Sequence, residues 1–128
     1  MGEGGANRQL NVLGEPLELC CRKPLTGFYR DGFCNTGPMD VGTHTVCAQV
    51  TQSFLEFSAW AGNDLITPRS EVAFPGLKEG DHWCLCAARW LQAHDAGYAP
   101  KLYLRRTNIK TLEIIPLETL KTFALDLN

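Results

Sequence analysis

Several motifs and composition biases that mark common protein classes are missing from this sequence of 128 residues. No apolar run approaches the length of a membrane-spanning helix, and the first residues show neither the basic nor the apolar region of a secretory signal. The formal net charge is -2 and 20% of the residues are charged, so there is no basic surplus for binding nucleic acid. We therefore expect a cytoplasmic protein with neither a nucleic-acid nor a membrane partner.

Two motifs of cofactor and redox chemistry are missing as well. No glycine-rich loop has the spacing or the lysine that cradles a phosphate, and no two cysteines have the Cys-x-x-Cys spacing of thioredoxin-like enzymes. Six cysteines are nevertheless present. Because nothing in the sequence indicates secretion, we expect them to be reduced thiols, with metal binding or catalysis as the special cases.

The order of turns and apolar segments predicts an α+β protein with a single domain over residues 10–128. The small polar residues at 1–9 are expected to form a disordered tail. β-branched residues at 43–50 indicate a strand in a mostly antiparallel sheet. Residues 24–42 and 63–80 are rich in proline, glycine and turn residues, which predicts two long structured loops.

Signals for the ends of helices occur at three places. Thr51 is a suitable N-cap, with Gly62 as a left-handed stop, and Gly97 ends a second apolar pattern. Pro116 opens a third helix. The helices are predicted at residues 51–61, at 87–96 and from 116 onward, and a hairpin is predicted to join residues 101–106 to 110–115.

Residues 80–90 hold the densest chemistry, because a turn at Asp81 leads into an extended segment and then into a helix. Side chains alternate along an extended segment, so Cys84 and Cys86 share one face. Their Cα atoms would lie about 6.6 Å apart, near the upper end of the disulfide range, so a bond between them would be strained. A shared metal ion or a polarised thiol pair is easier to build. The alternative is that both are small buried apolar residues.

A zinc or iron site needs several thiolates and imidazoles that converge on one ion. The other cysteines match no zinc-finger spacing, so such a site would be assembled where the two long loops meet near Cys84. Cys20 and Cys21 are adjacent and point to opposite faces of an extended chain, so at most one of them joins the site. The candidate ligands are Cys34, His44, Cys47, Cys84 and Cys86, with Asp81 and His82 nearby.

The residues leave two other functions open, and with them the question of whether the protein is an enzyme. In the first, a nucleophilic thiol, Cys34 or Cys84, carries the chemistry. Its base would be His44 or His82. In the second, the cysteines are buried and the aromatic loop binds a small molecule or a protein without catalysis. The anchors of that loop would be Phe28, Tyr29 and Phe33.

Four long strings in the sequence resemble a known family. They are PLTGFYRDGFCNTGP at 24–38, D-x-G-x-H-T-V-C-A at 40–48, GNDL at 62–65 and FPGLKEGDHWCLCAARW at 74–90. Over roughly residues 10–125 the chain resembles the domain of unknown function DUF2237, a family of small uncharacterised proteins found mainly in bacteria. The resemblance implies a stand-alone protein of one domain, and it brings no assigned activity, substrate or cofactor.

Overall fold

The sheet is built around the strand β1, His44–Gln49, four of whose six residues are buried. In the computed structural model, which describes residues 9–127, β1 lies between β2, His82–Cys86, and β3, Lys101–Leu102, and is antiparallel to both. Three α-helices accompany this sheet in the described residues, so the predicted α+β architecture is confirmed. β2 is an edge strand, and its outer side is covered by loops rather than by another strand.

The helices begin and end where local sequence signals indicate. The Thr51 hydroxyl accepts a hydrogen bond of 3.1 Å from the amide of Phe54 and so caps the first helix. Gly97 ends the second helix with a φ of 85°, and Pro116 precedes the third. All three predicted helices are confirmed. They are α1, Gln52–Trp60, α2, Ala87–Ala96, and α3, Leu117–Thr122.

The two faces of β1 contact different interiors. Val46 faces the large apolar core, to which each helix contributes a fully buried side chain. These side chains are Phe54 of α1, Trp90 of α2 and Leu120 of α3. Cys47, on the opposite face of β1, lies in a small cluster of buried cysteines. The alternation of side chains along one strand therefore separates an apolar core from a sulfur-rich one.

The hairpin predicted over residues 101–115 is wrong. The chain forms only the two-residue strand β3 and then two short 3₁₀ helices, Leu104–Arg106 and Ile109–Glu113, in place of the two strands of the hairpin. The carboxylate of Asp126 accepts hydrogen bonds of 2.7 and 3.0 Å from the first two amides of the earlier 3₁₀ helix. Because this acceptor comes from the far end of the chain, the local sequence does not reveal the turn that it stabilises.

The first long loop, residues 24–42, packs back on the protein and crosses the outer side of β2. Its Thr26 side chain is hydrogen-bonded to the amide of Cys84, in the middle of that strand. Gly27 is needed beside it, because its φ is 98° and a Cβ at this position would collide with the Phe33 carbonyl. The loop therefore covers the edge of the sheet and fixes one wall of the site described below.

The disordered tail predicted for residues 1–9 falls outside the described residues except for Gln9. The Gln9 side chain exchanges two hydrogen bonds with the backbone of Thr36. No helix formed by residues 9–127 is both long enough and apolar enough to cross a lipid bilayer.

Candidate functional site

A cavity of about 550 Å³ opens along the outer side of β2. Its walls come from both long loops, from β2 and from the first turn of α2. This volume is within the range of small-molecule sites in proteins, about 300–1,000 Å³. The residues with reactive or charged side chains that line it are His44, Cys86, Arg30, Arg69, Arg89 and Asp64.

Cys86 is the last residue of β2 and also the N-cap of α2. Its thiol is half-buried and free of any disulfide. The strand register pairs Cys86 with His44 of β1, and side chains of directly opposed residues lie on the same side of a sheet. The fold therefore brings a free thiol and an imidazole to the same wall of the cavity.

A β-bulge places His44 on this side of the sheet. In a regular strand His44 and Cys47 would point to opposite faces. The register instead shifts between His44 and Val46, which inserts one extra residue into β1. After the shift Cys47 is opposite Cys84, which lies on the same face of β2 as Cys86. The bulge thus aligns His44 with the cysteine-bearing face.

The imidazole of His44 is held from three sides. Its Nδ1 lies 2.6 Å from Oδ1 of Asp40, and its ring stacks on Phe28 with 6.2 Å between the ring centroids. Gly42 lies directly against the ring, because a Cβ there would come within 2.6 Å of Cε1 of His44. No hydrogen-bond partner occupies Nε2 of His44 in the described part of the chain. That nitrogen is the one available for proton transfer.

Asp40 orients His44 from a buried position, since its side chain has no solvent-accessible surface. Its Oδ2 accepts hydrogen bonds of 3.0 Å from the Thr36 hydroxyl and 2.9 Å from the His44 amide. Burial acts to raise the pKa of Asp40, but the hydrogen bonds from His44 and Thr36 outweigh it and lower the pKa below the usual value. An ionised carboxylate only accepts hydrogen bonds, so it keeps a proton on Nδ1 of His44.

Three arginines line the same cavity as the thiol. The guanidinium of Arg30 lies over the ring of Trp83, with 5.2 Å from its Cζ to the ring centroid. Arg89, in the first turn of α2, donates a hydrogen bond of 3.1 Å to the carbonyl of Ala61 at the end of α1. Arg69 lines the cavity from the second long loop. The cavity therefore combines a thiol, an oriented imidazole and three guanidinium groups.

The expectation that all the cysteines are reduced thiols is wrong for four of them. The pairs that are joined lie 27 and 50 residues apart, so the spacing of the cysteines did not reveal them. The disulfides are Cys20–Cys47 and Cys34–Cys84, and the free cysteines are Cys21 and Cys86. Cys84 is thus bonded to the long loop, and no metal or thiol chemistry is shared between it and Cys86 in this state.

The four bonded cysteines form one buried cluster against which Tyr103 packs. The sulfur atoms of Cys20, Cys34 and Cys47 all lie within 4.8 Å of one another. Cys20 belongs to the cluster and its neighbour Cys21 does not, in line with the expectation for adjacent residues. The candidate ligands predicted from the sequence are therefore divided. Cys34, Cys47 and Cys84 lie in the cluster, whereas His44 and Cys86 lie at the cavity.

The other residues singled out in the sequence lie at the edges of the site or away from it. Phe28 lines the cavity, and the ring of Tyr29 packs edge-on against the ring of Phe28 with 5.1 Å between the ring centroids. Asp81 accepts a hydrogen bond of 2.8 Å from the amide of Lys78 within a turn. Phe33 and His82 do not line the cavity, and the His82 ring faces Tyr103 with 5.0 Å between centroids.

Asp40, Arg30 and Arg89 were missed as functional residues. Asp40 carried a usable signal, because a carboxylate four residues before a histidine at the start of a strand is placed to bond its ring. No comparable signal distinguishes Arg30 and Arg89, because the cavity that they share is formed by segments far apart in the chain. Cys20 was considered as a site residue but could not be separated from Cys21.

Comparison with known proteins assigns the chain to a family and no function. A search among curated proteins found no match. Residues 10–124 match the model of the family described as an uncharacterized protein conserved in bacteria, DUF2237. This span contains the cavity and the buried cysteines. The chain therefore belongs to this family of uncharacterised bacterial proteins.

Proposed function

We propose that the protein is a thiol-dependent enzyme in which Cys86 is the nucleophile and His44 is the general base. One observation carries this proposal: Cys86 is paired across the strands with a His44 whose Nδ1 lies 2.6 Å from the buried carboxylate of Asp40. A thiol, a base and a group that orients the base are the parts that nucleophilic thiol catalysis requires. Cys34 and Cys84 are excluded as nucleophiles in this state because they are bonded to each other.

The chemistry that these groups support is acyl transfer to water. His44 accepts the thiol proton at Nε2, and the carboxylate of Asp40 stabilises the resulting imidazolium. The Cys86 thiolate forms a bond to the acyl carbon, and the leaving group departs with the proton from His44. Water then attacks the thioester, its proton passes to His44, and the released Cys86 sulfur is protonated again.

In the structure Cys86 and His44 are not hydrogen-bonded to each other, as judged from the described residues. Catalytic hydrogen bonds are often long or absent before substrate binds and tighten in the complex. A rotation about the Cα–Cβ bond of Cys86 changes the direction of its thiol while the strand pairing keeps the two backbones opposed. The proposal therefore requires a change of side-chain rotamer and no rearrangement of the fold.

The rate at which iodoacetamide alkylates Cys86 tests this proposal, with each cysteine followed separately by mass spectrometry of its peptide. We expect Cys86 to react at least about tenfold faster than a thiol without an activating base. Cys21 is the internal reference, because it is also free and half-buried. His44→Gln should remove the difference. His94→Gln is the matched control, because the His94 ring stacks on Trp90 instead.

Equal alkylation rates at Cys86 and Cys21 would contradict the proposal, as would a His44→Gln variant that reacts like the unmodified protein. Activity is the second readout. Hydrolysis of a panel of thioesters should be lost in Cys86→Ser and retained in Cys21→Ser, and activity that survives in Cys86→Ser would exclude this residue as the nucleophile.

A second candidate function is the binding of zinc or iron, and the closeness of the sulfur atoms in the buried cluster favours it. Thiolates on one tetrahedral zinc ion lie about 3.8 Å apart, so sulfur atoms within 4.8 Å of one another need to move only slightly to share an ion. The bonds between the cysteines must be absent for this, as in a chain that folds in a reducing compartment. The ligands would be Cys20, Cys34 and Cys47, with Cys84, which is bonded to Cys34 in the same cluster, as the fourth, in place of the set with His44 and Cys86.

Refolding of the fully reduced protein with one equivalent of zinc, followed by elemental analysis and thiol titration, tests this second function. A metal centre predicts one zinc per chain and four thiols that become reactive only after a chelator is added. Cys20→Ser should lose the metal, whereas Cys21→Ser should retain it. Refolded protein that contains no zinc and only the two free thiols would contradict metal binding.

A further inference from the structure

The cavity beside Cys86 has a charge opposite to that of the whole chain. The formal net charge of the protein is -2. Three arginines nevertheless line the cavity, and the only carboxylate among the described lining residues belongs to Asp64. A cleft lined by one sign of charge raises the local concentration of ligands of the opposite sign. The charge distribution therefore favours a negatively charged ligand.

Asp64 forms no salt bridge with Arg30 or Arg89 in the described part of the chain. Its Oδ2 accepts a hydrogen bond of 2.6 Å from the Thr67 hydroxyl, and its Oδ1 accepts bonds of 2.9 and 3.2 Å from the amides of Ile66 and Thr67. These bonds hold the pKa of Asp64 below the usual value, and the charge of Arg69 adds a smaller effect. The carboxylate is thus engaged in its own turn, and Arg69 is the cation whose charge acts on it.

Arg30 and Arg89 remain without a counter-ion, since neither forms a salt bridge within residues 9–127. Arg30 has a φ of 55°, a left-handed conformation that is uncommon for a residue with a side chain and that concentrates at functional sites. Its guanidinium lies over the ring of Trp83, which holds one face of it and leaves the N–H groups at its edge free to bind.

The position of Arg89 on α2 relates it directly to the thiol. Arg89 follows Cys86 by three residues, so the two lie on the same side of the first turn. One of its Nη atoms donates hydrogen bonds to the Ala61 carbonyl and to the side chain of Gln92, both of which are neutral. A guanidinium carries five N–H donors, so Arg89 is held in place and still has donors for a ligand.

We propose that the substrate of the Cys86 site carries a carboxylate or phosphate group, which Arg30 and Arg89 bind while the electrophilic carbon lies at the Cys86 sulfur. This inference rests on the function proposed above, because it takes Cys86 as the reacting atom. Arginine matches the planar geometry of both anions and binds them through paired hydrogen bonds. The site therefore selects anionic electrophiles over neutral ones of the same size.

Two alkylating agents of similar size, one anionic and one neutral, test this selection. Iodoacetate carries a carboxylate, whereas iodoacetamide carries a neutral amide in its place. In both reactions the Cys86 sulfur forms a bond to the methylene carbon, iodide leaves with the bonding electrons, and the thiol proton passes to His44. Because the two reagents differ in intrinsic reactivity, the ratio of their second-order rate constants at Cys86, divided by the same ratio at Cys21, measures how strongly the cavity prefers an anion.

We expect the ratio of iodoacetate to iodoacetamide at Cys86 to exceed the ratio at Cys21 by at least about tenfold, the factor supplied by one hydrogen bond to a charged group. Arg30→Gln and Arg89→Gln should each lower the ratio at Cys86. Inorganic phosphate should compete with iodoacetate and leave the rate of iodoacetamide unchanged. Arg106→Gln is the matched control, because Arg106 also stacks on an aromatic ring, that of Tyr103, but does not line the cavity.

The outcomes separate this inference from the function on which it rests. If Cys86 reacts fast with iodoacetamide in a manner that depends on His44 but shows the same ratio as Cys21, the thiol site stands and the anion preference is wrong. If Cys86 is unreactive towards both reagents, the thiol function itself fails. Arg89→Gln also removes a hydrogen bond to the carbonyl of Ala61 and so could unfold the protein. In that case the Arg30→Gln variant decides, because the guanidinium of Arg30 lies over the Trp83 ring and replacing it removes no hydrogen bond within residues 9–127.

Discussion

Thr26 of the first long loop and Cys84 of β2 are joined by a buried hydrogen bond of 2.8 Å, in which the Cys84 amide donates to the Thr26 hydroxyl. Cys84 is also bonded through its sulfur to Cys34, later in the same loop. The segment between these two anchors carries Phe28 and Arg30 to the cavity. One residue of an edge strand thus fixes both ends of a wall of the site.

Thr26→Val tests the first anchor. Valine has nearly the shape of threonine but leaves the buried Cys84 amide without an acceptor, so we expect the free energy of unfolding to fall by about 1–3 kcal/mol. Urea unfolding measures this loss. Thr122→Val is the control, because the exposed Thr122 hydroxyl bonds only to a carbonyl of its own helix, and its loss should cost less than about 0.5 kcal/mol. Equal losses in both variants would mean that the anchor contributes nothing of its own.

Gly42→Ala tests whether the placement of the His44 ring controls the thiol. The new Cβ would lie 2.6 Å from Cε1 of His44, so the ring must move away from its bond to Asp40. We expect the rate of Cys86 alkylation to fall at least about fivefold, while the fold is retained. Gly37→Ala is the matched control, because its Cβ would also come close to a ring, 2.5 Å from the hydroxyl of Tyr29, but not to His44. An unchanged rate in Gly42→Ala would show that His44 does not act on the thiol.

Asp40→Asn should weaken both the fold and the site. Replacing an ionised acceptor that bonds His44 and Thr36 is expected to cost about 1.5–3 kcal/mol near neutral pH. Because the folded state lowers the pKa of Asp40, the unfolded state takes up the proton first as the pH falls. The stabilisation from Asp40 is therefore complete above its usual pKa of 3.8 and is lost as the pH falls through the lowered value.

The stability difference between the unmodified protein and Asp40→Asn should accordingly shrink as the pH falls below about 5. Urea unfolding at a series of pH values measures it. The control is Asp95→Asn, because Asp95 also contacts a histidine, His94, but has 72% of its side chain exposed. A difference that grows as the pH falls from about 5 to about 3 would show that Asp40 is not held as a carboxylate in the folded protein.

The features that were predictable from the sequence depend on residues close together in the chain. Thr51 caps a helix that begins at the next residue, and Gly97 ends one that finishes at the residue before. The alternation along residues 43–50 likewise predicts which side chains of β1 reach the apolar core. Helix capping and the alternation of side chains along a strand depend on residues within one or two turns of each other, so they can be predicted from the local sequence.

The features that were not predictable depend on long-range pairing. Which sulfur bonds to which is decided by the folding of segments 27 and 50 residues apart, and cysteine spacing contains no information about it. The partnership of Cys86 with His44 depends on strand register and on a single bulge, either of which reverses the side of the sheet that a residue faces. Cys86 and His44 were therefore singled out from the sequence, whereas Asp40, Arg30 and Arg89, and the grouping of all five residues, were not.

The two disulfides should differ in what they do for the cavity. Both close long segments of the chain, so removing either is expected to lower the free energy of unfolding by about 3–4 kcal/mol in the chain-entropy account. The bond of Cys34 to Cys84 also holds the loop that carries Arg30, whereas neither Cys20 nor Cys47 lines the cavity, although their bond packs against the other one in the buried cluster.

Double alanine variants at each bond therefore form a matched pair, and alkylation of Cys86 is the measurement. Cys34→Ala with Cys84→Ala should reduce the preference of Cys86 for iodoacetate, because Arg30 loses its fixed position. Cys20→Ala with Cys47→Ala should lose stability and keep that preference, provided that both are assayed where the protein is folded. Equal effects on the preference would mean that the cavity wall is set by the global stability of the fold and not by the bond at Cys84.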